Sequence, residues 1–460
     1  MFLLSKASQH PWLAALRVYS KAPALRMFFL GFSSGLPLLL VLGTLSFWLR
    51  EAGIELSTIG MVTWVGLAYG FKWVWAPLVD KLRIPFLTSL MGRRRSWLLF
   101  SQCVVLCSLL AMGFTDPQKN LSLMIGFTAL TAFASATQDI ALDAYRIESA
   151  DISEQAALAA TYQTGYRLAM IWAGAGALAL AAFFTTVESG YDPQAWKAAY
   201  CVMALSMAVG VVTVVLSPEP TNNVRETTSE QTVKHRLECR QKHPHWSERM
   251  VNLYVWFYEA ACMPFMDFFI RFRWHAVIVL CLIATYRISD VVMGVMANPF
   301  YQDLGFTKEE VAAVSKVFGV VMTLVGAFLG GLISARVGVM KTLFLGGLLS
   351  ALTNLLFSWL ATQGHHLPYL VLTVSADNLA AGIASVAFLA YLSGLTNVAY
   401  TATQYALFSS IMLLLPKFLA GFSGFVVENV GYNLFFIGTA VIGIPVLILV
   451  VWAGRINNKR

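Results

Sequence analysis

The chain has 460 residues, 58% of them hydrophobic and 12% charged, where an ordinary soluble domain carries about 25% charged residues. That balance excludes a soluble globular fold. The formal net charge of +8 suggests nucleic acid at first sight, but the basic residues sit at the ends of apolar runs and form no binding patch.

Apolar runs recur from Met27 to Ala453. Each approaches or exceeds the roughly 20 residues that carry a helix across a hydrocarbon core of about 30 Å. In lipid every backbone amide must find a partner within the chain. The runs are continuous, not alternating, and so predict helices rather than a barrel.

In chain order, residues 1–26 form a basic tail with Lys6, Arg17, Lys21 and Arg26. It lacks a small-residue cleavage site and is expected to be retained. Six spans follow within 27–216, at 27–49, 57–79, 97–114, 122–144, 157–183 and 196–216. Residues 217–274 are a polar linker, in which Val251–Ile270 is expected to be a helix lying at the membrane surface, ended by Arg271 and Arg273. The alternative, a re-entrant or thirteenth segment, breaks the charge pattern that follows. Six more spans fill 275–453, at 275–300, 308–335, 342–361, 368–393, 399–424 and 433–453, before a short tail at 454–460.

Lys and Arg gather in the first tail, around 81–95, across 225–273, at Arg336 and Lys341, and at the C-terminus. The alternate loops hold only Arg50, Lys119, Lys197 and Lys308. This asymmetry is the positive-inside pattern, and it places both termini and the linker in the cytoplasm of a bacterial inner membrane. The six cysteines, Cys103, Cys107, Cys201, Cys239, Cys262 and Cys281, include no CxxC pair. They argue against a disulfide framework or a zinc site. The halves look related: KLRIPFLTSLMGRRRSWLL after span two and SARVGVMKTLFLGG after span eight are both basic, glycine-marked hairpins. The expected fold is therefore an all-α membrane protein of twelve transmembrane helices in two six-helix halves, the major facilitator architecture.

Charges inside a bilayer are costly and point to function by default. Here they are Lys72 in span two, Asp139 and Asp143 in span four, Arg167 in span five, Arg287 and Asp290 in span seven, Lys316 in span eight, Asp377 in span ten and Lys417 in span eleven. At 1.5 Å per residue, Arg167 lies about 15 Å from the cytoplasmic end of its span and Asp377 about 14 Å from the opposite end of its own. Asp139, Arg167 and Asp377 lack a partner within one turn and are favoured for function, with an Asp139–Arg167 pair as one possibility to test. Asp143 pairs more simply with Arg146, three residues on. For Arg287 and Asp290 an intrahelical pair and a transport role stay open. Lys72 and Lys417 are expected to snorkel or to be structural, and Lys316 is left without an assignment. A desolvated carboxyl can exchange a proton near neutral pH, so Asp139, Asp143, Asp290 and Asp377 are the proton-coupling candidates. Gln138, Tyr166, Arg167, Arg287, Asn378 and Gln404 are the cargo-binding candidates. No Walker loop, GxGxxG, HExxH or GxSxG occurs, so neither enzyme activity, nor a cofactor, nor a metal is expected. A membrane-embedded sugar transferase needs acidic clusters on a sizeable loop, and a pure scaffold leaves the deep charges unexplained.

Several blocks carry a family resemblance. They are LGFSSGLPLLLVLGTLSFWL from Leu30, VGLAYGFKWVWAPLVD from Val65, GRRRSWLL from Gly92, ATQDIALDAY from Ala136, GYRLAM from Gly165 and TYRISDVVMG from Thr285. In this order, and with NPFYQDLGFTKEEVAAVSK and SADNLAAGIASVAFLAYLSGL further on, the chain resembles the AmpG-type muropeptide permeases of the major facilitator superfamily. The resemblance implies proton-driven import of N-acetylglucosaminyl-1,6-anhydro-N-acetylmuramyl peptides for cell-wall recycling, a flux that also feeds β-lactamase induction. It maps the family's acidic pattern onto Gln138, Asp139 and Asp143, its arginine onto Arg167 and its basic–acidic pair onto Arg287 and Asp290. Arg287 stands where the family suggests lysine, Asp377 where it suggests glutamate, and the central linker is extended. Related branches are similar to carriers of siderophores or acyl-coenzyme A. The partners implied are cargo, protons and the bilayer, the working unit is a monomer, and the cavity is expected between spans one, four, seven and ten.

Overall fold

A computed structural model describes residues 18–186, 191–220, 225–314 and 318–457. Among these residues there is no strand. Span one begins at Ala22, five residues earlier than expected, with Pro23 in its first turn. There its missing N–H leaves no orphan donor. The span runs as Ala22–Val41 and Gly43–Glu51, broken at Leu42.

Span two is the least regular. It consists of Leu56–Val62, Leu67–Phe71 and Ala76–Lys81, joined by tighter 3₁₀ turns at Thr63–Gly66 and Lys72–Val74. Gly66 and Gly70 are poor helix formers, and Pro77 removes a donor from the turn before it. The remaining eleven spans are long and apolar enough to cross a membrane by length and composition. Spans three to six are Arg93–Gly113, Leu121–Glu148, Gln155–Phe184 with a π turn at Trp172–Gly176, and Pro193–Leu216.

Span seven divides into His275–Thr285 and Ile288–Asp303 around Tyr286 and Arg287. Spans eight to eleven contain Gly319–Val337, Val339–Gln363, Leu367–Leu395 and Thr401–Ala420. The helix Ser423–Asn457 is interrupted at Gly431 (φ 77°). Residues before the break prolong span eleven, and span twelve starts after it.

Within each half, glycines let backbones touch. A Cβ on Gly35 of span one meets the carbonyl oxygen of Tyr166 at 2.5 Å, and one on Gly165 of span five meets that of Phe28 at 1.9 Å. In the second half a Cβ on Gly326 of span eight meets Leu379 O of span ten at 2.2 Å. Small residues drive close helix approach where lipid offers no hydrophobic gradient. Gly331 of span eight packs across the interface, against Tyr19 and Ala156.

The linker is more ordered than its polarity suggests. Arg225–Lys242 is a helix, and Glu248–Phe257 continues through a π turn into Met263–Phe272. The two pack through Cys239, Val251 and Val255. A hydrogen bond from Arg236 and the charge of Arg240 hold the Glu248 carboxyl below the usual range. The second helix spans the interval 251–270 expected from sequence.

The halves meet through spans two, four and five on one side and eight, ten and eleven on the other. Hydrogen bonds that cross between them include those joining Tyr19 to Phe328, Arg146 to Ser393, and Asp80 to Ala402 and Thr403. All lie toward the end of the bundle that carries the linker. The molecule is thus clamped on the linker side.

Candidate functional site

Lys72 of span two joins Asp139 and Asp143 of span four. The carboxylate of Asp139 accepts a hydrogen bond from Ser34 Oγ at 2.5 Å, and that hydroxyl lies 3.3 Å from Tyr162 Oη. Spans one and five bring these groups together because Gly35 and Gly165 bear no side chains. One turn on, Asp143 faces Lys72 Nζ at 3.6 Å and Arg146 Nη2 at 3.5 Å. Lys72 does not snorkel: it is 7% exposed, because the irregular turn at Lys72–Val74 turns it into the bundle, where a buried cation needs carboxylates. Tyr166 stacks at a tilt on Tyr162, with ring centroids 5.8 Å apart.

No Asp139–Arg167 ion pair forms among the described residues. The charge neighbour of Asp139 is Lys72. Arg167 is exposed in the middle of span five, and its charge neighbour is Arg287 of the opposite half. Two guanidinium groups, one from each half, therefore repel one another. Arg287 owes its position to the break in span seven, where its backbone (φ −98°, ψ 7°) leaves the helix.

In the second half, Asp377 accepts from Thr353 Oγ1 at 3.2 Å and repels Asp290. Asp290 feels the charge of Arg287 and a hydrogen bond from Ser350. These carboxylates sit between spans seven, nine and ten, so each half carries its own acidic pair with a nearby cation.

Three residues expected to contact cargo are engaged in hydrogen bonds of their own. Gln138 is fully buried and donates to Ser33 Oγ at 2.9 Å, beside Gln102 of span three. A helix turns 100° per residue, so Asp139 and its neighbour cannot both face the centre. Asn378 is tied to Val374 O (2.8 Å) and Thr323 Oγ1 (2.9 Å), joining span ten to span eight. Gln404 is buried under the linker: it donates to Pro264 O (2.8 Å) and Asp267 Oδ2 (2.9 Å) and accepts from Arg271 Nη2 (3.0 Å) and Asn397 N (2.7 Å). Lys417 is exposed on span eleven, and Lys316 lies outside the described residues.

Sequence reasoning missed the clamp. Asp80, at the end of span two, is 2.8 Å from Arg94 Nη2, which also meets Glu148 Oε1 at 2.6 Å. The same carboxylate accepts from Ala402 N (3.2 Å), Thr403 N (2.7 Å) and Thr403 Oγ1 (2.6 Å). An acid of one half thus caps the N-terminus of span eleven in the other, where orphan N–H groups and the helix dipole favour a negative charge. Glu219 caps span three in the same way, accepting from the N–H groups of Arg94 and Arg95. The signal available was an aspartate ending a span ahead of Gly92 and three arginines, but topology alone explains the arginines.

The Major Facilitator Superfamily profile matches residues 27–286 and 276–460. The chain is 33% identical over 442 residues to the AmpG 4 transporter of Rickettsia felis, covering 96% of this chain and 99% of that one. It is 32% identical over 435 residues to the anhydromuropeptide permease of Escherichia coli strain K12, covering 94% and 80%. The chain belongs to the major facilitator superfamily, in its AmpG-type permease branch. Solved structures agree on the fold. The proton:xylose symporter XylE bound to 6-bromo-6-deoxy-D-glucose matches with a TM-score of 0.64 at 12% identity, over 94% of both chains. FucP in its outward conformation matches with 0.63 at 12% identity, over 94% of this chain and 98% of that one.

Transporters of this superfamily bind cargo near the bilayer midplane between their halves and rock one half against the other. In this AmpG-type permease Arg167 lies within span five and Arg287 at the break in span seven. The clamp lies toward the end of the bundle that carries the linker.

Proposed function

We propose that the chain imports N-acetylglucosaminyl-1,6-anhydro-N-acetylmuramyl peptides from periplasm to cytoplasm by proton symport, as a monomer in the bacterial inner membrane. The name of the Escherichia coli relative, similar over nearly the whole chain, carries the cargo class. The mutual repulsion of Arg167 and Arg287, one from each half, supports that reading. Such a peptide is an anion with sugar rings. Its carboxylates relieve the repulsion between the two arginines and draw the halves together, and Tyr166 beside them offers a ring face to a sugar.

Positive-inside topology makes the linker side cytoplasmic. The clamped conformer then faces the periplasm, ready to load. Protons enter at Asp139 or at the Asp290–Asp377 pair, and a protonated, loaded carrier is the one that turns inward.

The test is uptake of a labelled anhydro-muropeptide into cells lacking their own permease and expressing this chain, with and without an uncoupler. Uncoupler-sensitive uptake is expected. No uptake by protein shown to be in the membrane overturns the cargo assignment in favour of a siderophore or acyl-coenzyme A, which a binding panel on purified protein separates.

A further inference from the structure

We propose that Lys72 transmits the charge state of Asp139 to the cytoplasmic clamp. The proposal rests on the symport reading and adds the link between the proton and the gate.

Asp143 holds two cations at once, Lys72 at Oδ2 (3.6 Å) and Arg146 at Oδ1 (3.5 Å). Both distances exceed those of tight ion pairs, about 2.7–2.9 Å, so neither cation is fully held. Arg146 is a residue that grips the opposite half. Its Nη1 donates to Ser393 Oγ at 2.9 Å and its guanidinium lies over the Tyr405 ring at 5.2 Å. Lys72 is also the attractive neighbour of Asp139, and its turn packs against span eleven.

The result is a row of alternating charge, Asp139–Lys72–Asp143–Arg146, running from the cargo region to the clamp. Among the described residues, the other titratable groups facing it are tyrosines. Tyr69, Tyr162 and Tyr166 lie near Asp139, and Tyr162 and Tyr405 near Asp143. Phenols stay neutral near pH 7, so two acids and two bases set the balance.

With Asp139 ionised, Lys72 is divided between two carboxylates, and Asp143 keeps Arg146 aimed at Ser393 and Tyr405. When Asp139 takes a proton from the periplasmic side, Lys72 loses one partner and moves wholly to Asp143. The carboxylate of Asp143 is then neutralised by the ammonium. Arg146 is left buried without its counter-charge, which is costly, and it leaves its contacts on the opposite half. Loss of the same proton to the cytoplasm restores the row. Lys72 is a positioning residue in this scheme and touches no cargo.

The experiment is epistasis in the full-length protein reconstituted in lipid. Spin labels on Leu90→Cys and Val337→Cys, exposed on opposite halves at the linker side, report clamp opening by pulsed dipolar spectroscopy in a background lacking the six native cysteines. Asp139→Asn, which mimics the protonated acid, is expected to raise the long-distance population. Lys72→Gln is expected to keep the clamp closed at every pH, and the double variant to behave as Lys72→Gln. A double variant that opens as Asp139→Asn does, or a Lys72→Gln protein that keeps the parent's pH response, overturns the proposal. Should Lys72→Gln fail to fold, Asp143→Asn decides: it is expected to open the clamp at every pH, and a clamp that stays closed and pH-responsive overturns the proposal. Failure of the symport reading shows separately, as parent uptake insensitive to an uncoupler.

Discussion

Replacing Asp80 by asparagine removes one negative charge from the contact that holds the two halves together. The carboxylate of Asp80 is 2% exposed and serves Arg94 and the first turn of span eleven at once. Arg94 keeps Glu148 at 2.6 Å, so the loss is smaller than the roughly 3–5 kcal/mol for stranding a buried charge. Asparagine still accepts one hydrogen bond from the Thr403 end. What disappears is the attraction of a full charge for the helix terminus and the charge-assisted part of its bonds. A favourable charge at a helix terminus contributes up to about 2 kcal/mol, and at about 1.4 kcal/mol per decade the closed-to-open ratio falls roughly 30-fold. The assay is the distance between spin labels on Leu90→Cys and Val337→Cys. The expected result is a large open fraction, with cargo uptake slowed because the outward state is depleted. A closed population equal to that of the parent refutes the assignment of Asp80 to the clamp.

Thr403→Val removes the hydroxyl bond to Asp80 but keeps the backbone bond, so opening is expected to shift about fivefold, one hydrogen bond of about 1 kcal/mol, in the same distance measurement. Arg167→Ala and Arg287→Ala are each expected to weaken cargo binding about ten- to hundredfold, since a charged hydrogen bond contributes about 1.5–3 kcal/mol; calorimetric titration of the purified protein checks this, and unchanged affinity removes the residue from the cargo site. Gln138→Leu is expected to leave cargo affinity unchanged, because the amide faces Ser33 and Gln102; a loss of affinity returns Gln138 to the cavity. Gly165→Leu cannot keep span five against Phe28, where even a Cβ meets the carbonyl at 1.9 Å, and thermal unfolding in detergent is expected to drop sharply.

Hydropathy made the spans legible, since each must hide its own backbone from lipid and does so within a run of apolar residues. Span two shows the limit. Gly66, Gly70 and Pro77 announce an irregular helix, yet no pattern tells whether Lys72 leaves for the surface or turns inward. Its partner is on span four, 71 residues away, and the choice is tertiary. Gln138 and Asp139 pose the same difficulty one residue apart: which of them faces the centre is decided by how spans one and three pack. Asp80 and Thr403 lie 323 residues apart, and neither looks functional alone. Gln404 lies in the first turn of span eleven, but the linker helix, whose docking no local periodicity encodes, takes up its amide through Pro264 and Asp267. The deep charges Asp139, Arg167, Arg287 and Asp377 were visible because any charge at mid-membrane demands a reason. Their partners on other spans were not.

The most direct test of cargo and coupling together is accumulation of a labelled anhydro-muropeptide by proteoliposomes holding only this protein, under an imposed proton gradient, alkaline inside. Uphill accumulation that collapses when the gradient is dissipated, and that is absent with Arg167→Ala, is the expected result. Accumulation indifferent to the gradient, or equal in the Arg167→Ala protein, contradicts proton-driven transport through the arginine-lined centre.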